Sequence, residues 1–236
     1  MRKKVTIPDH DTTTTVAAYD QSAKDYAEMF GKLPSVKDHI IRACTLAGVV
    51  PGQSRIVEIG CGDGRHAEDS LVSAAKNYLG FDPSIRTLEL ARARFGTDCK
   101  KRFPNTESIE FVQGFAQTME YPEMTDIVVS IRSVQHLSEY SLQKTSSLVH
   151  KGLRKDGIFY ILTPLGADER QEYQDTFGTR VFFYHSGATI GNAAGLAGFV
   201  LWEHEIVEGE NGRNLGIFAF MKRHISGRAR QSLHKK

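Results

Sequence analysis

Residues 57–65 read VEIGCGDGR, an apolar strand end running straight into glycines at 60, 62 and 64. Glycine at alternate positions lets the backbone turn sharply, and lets a ligand come closer than any Cβ would allow. Asp82 lies at the tip of a second apolar run, LGFDPS. An acid at the end of the strand that follows a glycine turn can accept both hydroxyls of a ribose. The two features together imply a ligand that carries a nucleoside.

The spacing of the glycines narrows the ligand. In the dinucleotide fingerprint the third glycine follows the second by three residues, where the pyrophosphate meets a helix N-terminus. Here Arg65 holds that place, Gly64 comes one residue early, and Asp63 sets a negative charge where a pyrophosphate would lie. These features argue against NAD and against a phosphate cradle. They suit a ligand with ribose and adenine, no phosphate and a positive charge of its own, which describes the sulfonium S-adenosylmethionine. A glycine turn that is only structural is the alternative.

At this point the chain resembles a family, the class I S-adenosylmethionine-dependent methyltransferases, and most of all their small-molecule group. VEIGCGDGR and LGFDPS are similar to the first two motifs. VQGFAQTMEYP, DIVVSIRSVQHLS and LVHKGLRKDGIFYILTP continue the resemblance in order, across roughly residues 19–222. The resemblance implies that Gly60 and Gly62 pass beneath the methionine portion of the cofactor, and that backbone at Ser130 and Ile131 meets its amino group. Asp82 would hold the ribose, with Phe81 or Pro83 against the adenine face. Glu58 would orient the turn or the amino group, or be a buried structural acid. Many relatives carry an acid after the glycine of the third segment, for the adenine amino group. This chain has Phe115 there, which leaves adenine to backbone at Phe115 and Ala116, or to ring packing.

Residues for the methyl acceptor are less marked. His136, in SVQHL, stands where the family often turns a histidine toward the substrate, and its ordinary pKa suits proton removal near neutrality. A satisfied loop histidine would look the same. Arg132 is a candidate for an anionic substrate or for a salt bridge. His185, after VFFY, is a second candidate base. Tyr19 and Tyr26 share one face of the first helix, where they either close over the cofactor or simply pack.

These residues need a scaffold. Strand patterns at 55–59, 77–81, 108–112, 126–131 and 157–163 alternate with helix patterns at 65–75, 84–95 and 139–151. Such alternation predicts an α/β fold with a doubly wound, mostly parallel sheet. Two strand-like runs, 199–207 and 215–221, flank Asn211-Gly212, a hairpin signal. The resemblance implies seven strands ending in this antiparallel hairpin. Helical segments near 19–30 and 35–47 precede the first strand. The expected organisation is a disordered leader over 1–15, one domain over 16–223 with a helical cap at 16–50, and a basic tail over 224–236.

Composition sets outer bounds. The chain has 236 residues and a net charge of +2, enough for one domain and too balanced to announce nucleic acid. Three cysteines form neither a CxxC pair nor a metal spacing, as expected in a reducing compartment. No run reaches the roughly 18–20 apolar residues of a membrane span. The expected protein is cytoplasmic, uses S-adenosylmethionine, and methylates an oxygen or nitrogen of a small molecule. Basic clusters at 86–102 and in the tail raise an RNA acceptor as the alternative, and Phe115 raises a non-catalytic cofactor-binding protein.

Overall fold

The computed structural model describes residues 10–31, 35–209 and 212–223. Seven strands form one sheet: β1 (Ser54–Ile59), β2 (Ala75–Asp82), β3 (Ser108–Gln113), β4 (Thr125–Ile131), β5 (Leu153–Pro164), β8 (Phe199–Val207) and β9 (Leu215–Lys222). Their order is β3-β2-β1-β4-β5-β9-β8. The first five run parallel, and β9 and β8 are antiparallel, as expected.

The central strands are apolar almost throughout because helices cover both sheet faces. Alternation sorts their side chains into two cores. Ile56, Ile127, Val129, Ile158 and Tyr160 face α2 (Lys37–Leu46), α3 (Val72–Ala74) and α4 (Ile85–Phe95). Val57, Val128, Phe159 and Phe218 face α6 (Glu139–Gly152) and α7 (Gly187–Leu196). Ser84 caps α4, accepting the N–H of Thr87, as a serine at that position should. The chain switches sides between β1 and β4, and a crevice opens at their C-terminal ends.

Four features depart from the sequence reading. First, helix α1 spans His10–Phe30, so residues 10–15 are helical and not part of a disordered leader. Its threonines are poor helix formers, but tertiary contacts outweigh propensity. Thr15 Oγ1 accepts the N–H of Val181 at 2.9 Å, and Asp11 takes two bonds from Arg170 at 2.7 and 2.8 Å.

Second, β6 (Glu169–Asp175) and β7 (Gly178–Tyr184) form a separate hairpin between β5 and α7, where the sequence analysis placed no element. β6 is largely exposed, so it lacks the apolar alternation that marks a strand. Third, the helix after the glycine turn begins as a π-helical turn, Ala67–Leu71, before α3. Fourth, α5 (Cys99–Arg102) is a single turn with no pattern to announce it. The rest of the expected leader, Asn211 of the hairpin signal and the basic tail lie outside the described residues.

Candidate functional site

The glycine turn is built against β2 and β4. Gly60 and Cys61 donate their N–H groups to the carbonyl of Phe81 at 2.7 and 3.1 Å. Gly60 has φ +67°, and a Cβ there would sit 2.1 Å from Ser133 Oγ, so no other residue fits. Gly62 has φ +54°, yet a Cβ added to it would meet nothing within 4 Å. Its side-chain direction opens into a cavity.

Asp82 is tied to that turn. Its Oδ2 accepts the N–H of Gly62 at 3.0 Å, while Oδ1 accepts the Ser84 N–H at 2.9 Å and the Thr87 hydroxyl at 3.2 Å. Burial raises its carboxyl to about 6, against the lowering effect of those three bonds. At neutral pH it is therefore charged and held in one orientation.

The cavity measures about 410 Å³, within the range that small ligands occupy. On the β2–β3 side it is walled by Phe81, Asp82, Phe115, Ala116 and Gln117. On the β4 side stand Ile131, Arg132 and His136, and Tyr19 and Tyr26 come down from α1. Helix α1 forms its roof. The roof is fastened to β6 through Asp11–Arg170 and to the start of α4 through Asp20, which accepts the Ser84 hydroxyl at 2.6 Å.

Tyr19 and His136 are joined at 3.0 Å, and His136 Nδ1 lies 2.9 Å from the carbonyl of Val181. A carbonyl only accepts, so Nδ1 carries the hydrogen and Nε2 is bare. Tyr19 must then donate its hydroxyl hydrogen to Nε2. Burial lowers His136 to about 4, outweighing the Val181 bond, so the imidazole is neutral through the physiological range. Of the two readings left open for His136, a general base or a satisfied loop histidine, the geometry matches the second: a fixed neutral acceptor behind Tyr19. Burial also holds the Tyr19 hydroxyl well above its ordinary value.

Asp63 does not act as the sequence suggested. Burial disfavours its charge, but Arg65 at 2.8 Å and Arg94 at 2.5 Å prevail and keep it ionised below its usual range. Its charge is neutralised within the turn, so the glycine spacing alone argues against a pyrophosphate.

Two expected residues do not line the cavity. Glu58 points to the same sheet face as Asp82 and Ile131, but it lies two residues below Gly60 on β1, beneath the turn and not at the rim. There its carboxyl accepts the Tyr78 hydroxyl at 2.6 Å, and burial raises it to about 8. His185 is buried with Nε2 donating to the carbonyl of Leu137 at 2.8 Å, which spends its ring on holding the end of β7. Ser130 is fully buried beneath the rim, and Ile131 alone of that pair reaches the cavity.

The 86–102 basic cluster is largely spent within the fold. Arg86 pairs with Glu89, Arg94 with Asp63 and Glu68, and Arg102 with Glu68. Arg92 and Lys100 donate to the carbonyls of Phe111 and Thr106. Gln117 is one of several wall residues that the sequence reading missed, with His66, Asp69 and Ser133 among the others. Its position two residues past Phe115, in the loop already singled out, was the available signal. Among the described residues no helix is long and apolar enough to cross a membrane.

Residues 56–157 match the sequence family described as a methyltransferase domain. No curated protein sequence matches the chain. Solved structures similar to it include an S-adenosylmethionine-dependent methyltransferase of Leishmania major, at 16% identity and TM-score 0.66, covering 89% of this chain and 82% of that one. The 1,6-didemethyltoxoflavin-N1-methyltransferase of Burkholderia thailandensis, solved with that heterocycle and S-adenosylhomocysteine, is 14% identical at TM-score 0.68, covering 93% and 94%. The (4+2)-cyclase SpnF is 13% identical at TM-score 0.70, covering 92% and 98%. At these identities the likeness shows a shared fold, and the cyclase among them shows that the fold does not fix the reaction.

Proposed function

We propose that this chain, with its methyltransferase-domain match over residues 56–157, is a class I S-adenosylmethionine-dependent methyltransferase that methylates an oxygen or nitrogen atom of a small molecule held beneath α1. The observation that carries this reading is the roof: α1 is fastened at Asp11 and at Asp20 over a cavity of about 410 Å³. A small acceptor fits under such a roof, whereas an RNA strand needs an open basic groove, and the 86–102 cluster is largely paired. The toxoflavin methyltransferase, with its heterocycle bound, adds a fold-level analogy only.

The residues present fit the cofactor. Asp82 offers a braced carboxylate for ribose hydroxyls, Gly62 leaves open space above the turn, and Phe81, Phe115 and Ala116 frame room for adenine. In this reading Gly60 and Gly62 underlie the methionine portion and Ile131 borders it. When bound, the sulfonium supplies an electrophilic methyl group and a neutral leaving group.

In-line displacement then demands an aligned acceptor lone pair. With its hydrogen given to His136 Nε2, the Tyr19 oxygen is left as an acceptor at the cavity wall, where the Tyr26 hydroxyl and Arg180 also come within its reach. It can accept a hydrogen bond from an acceptor O–H or N–H, and so orient the nucleophile. Tyr26 packs edge-on against Tyr19, with ring centroids 4.8 Å apart, and fixes that ring. Arg132 stands on the same side for an anionic group on the acceptor.

The test is incubation with methyl-labelled S-adenosylmethionine and separate fractions of small metabolites, RNA and protein. Label is expected in the small-molecule fraction. Label confined to macromolecules would overturn the reading.

A further inference from the structure

The loop after β3 leaves the adenine end of the cavity short of hydrogen-bond acceptors. The Phe115 carbonyl already receives the N–H groups of Thr118 at 2.8 Å and Met119 at 3.1 Å, and the Thr118 hydroxyl at 3.1 Å. The Ala116 carbonyl receives the Tyr121 hydroxyl at 3.1 Å. The backbone recognition expected at these two residues therefore has no spare carbonyl at 115 and a partly used one at 116. The side chains of Phe115 and Ala116 carry no polar atom.

Gln117 adds a side-chain acceptor to the loop. Gln117 lines the cavity, is only 5% exposed, and its Oε1 has no hydrogen-bond partner. A buried amide oxygen without a partner is costly, and native proteins seldom keep one unless a ligand or water completes it. Placement agrees with this. Asp82 and Gln113 are register partners on adjacent strands, and Gly114 N–H donates to the Asp82 carbonyl at 3.1 Å. A nucleoside whose ribose is held at Asp82 thus meets the 114–117 loop with its base.

We propose that Gln117 reads the adenine base of the cofactor, its Oε1 accepting from the exocyclic amino group in place of the acid that this chain lacks at Phe115. An amide carries an acceptor and a donor side by side, which matches the amino group and neighbouring ring nitrogen of adenine. The proposal rests on Asp82 holding the ribose. It makes Gln117 a specificity residue for the nucleobase and leaves the acceptor end untouched.

Calorimetric titration tests it with two ligands, S-adenosylhomocysteine and its analogue lacking the 6-amino group. Wild type should bind the amino ligand about tenfold more tightly, the worth of one buried hydrogen bond. Gln117→Met, similar in length and without the amide, should bring the two ligands within about twofold. Gln117→Glu, which keeps an acceptor, should retain the preference. If Gln117→Met binds neither ligand while Gln117→Glu still discriminates, the proposal stands. An unchanged preference in Gln117→Met, or loss of binding in both variants, overturns it. Failure of wild type to bind either ligand would instead bring down the cofactor site at Asp82, and the proposal with it.

Discussion

Asp82 Oδ2 accepts the N–H of Gly62 at 3.0 Å, so the strand-end acid and the glycine turn, twenty residues apart, are one unit. The bond sets the angle of the carboxylate and the height of the turn together. Replacing Asp82 by Ala should therefore weaken S-adenosylhomocysteine binding by about 10–100-fold, for one or two charge-assisted bonds lost. It should also lower thermal stability, since the N–H groups of Gly62 and Ser84 lose their acceptor. Calorimetry and a melting curve on the same variant check both effects.

The same carboxyl predicts how binding depends on pH. It titrates near 6 in the ligand-free protein, raised by burial. A protonated carboxyl is a poorer acceptor for ribose hydroxyls, so affinity for S-adenosylhomocysteine should fall as pH drops from 7 through 6 toward 5. The fall should be absent in Asp82→Asn, whose affinity is low and flat. A wild-type affinity constant across this window would remove Asp82 from the site.

Glu58 makes a stability prediction separate from binding. Burial raises it from 4.5 to about 8. A group with a raised folded-state pKa gives stability that is fully present below its unfolded value and lost as pH rises through the folded one. Wild type should therefore lose stability from about pH 4.5 up to about pH 8, where the unfolded chain has released this proton and the folded one keeps it, and level off above that. Glu58→Gln keeps a neutral acceptor for the Tyr78 hydroxyl and should flatten the decline. Melting temperatures across pH 4–9 decide it.

How much of this was legible in the sequence follows from the range of each signal. The glycine turn, Asp82 and the parallel strands were legible because they depend on neighbouring residues and on simple periods. The roof was not. Thr15 and Asp11 belong to α1 only through contacts with Val181 and Arg170, more than 150 positions away, and no local pattern encodes them. Glu58 was left open between a site acid and a buried structural one, and His185 was offered as a base, for a similar reason: chemistry suggests a role, but the depth of Glu58 beneath the turn and the Leu137 carbonyl across the loop decide where each side chain goes. The state of His136 likewise depends on the carbonyl of Val181, in a hairpin that the sequence hid.

That state gives the last prediction. With Nδ1–H on the Val181 carbonyl and Nε2 receiving Tyr19, the ring should remain a single neutral tautomer well below the ordinary histidine range, titrating near 4. Nitrogen-15 spectra of histidine-labelled protein should show one protonated and one bare ring nitrogen down to about pH 5. In Tyr19→Phe the bare nitrogen loses its donor, and its resonance should move to that of an unbonded imidazole nitrogen. The Val181 bond keeps the tautomer unchanged. S-adenosylhomocysteine affinity should stay within about twofold, because Tyr19 is assigned to the acceptor and not to the cofactor. If the variant instead loses cofactor binding tenfold or more, Tyr19 closes over the cofactor and the orienting group for the acceptor must be sought elsewhere on the β4 side.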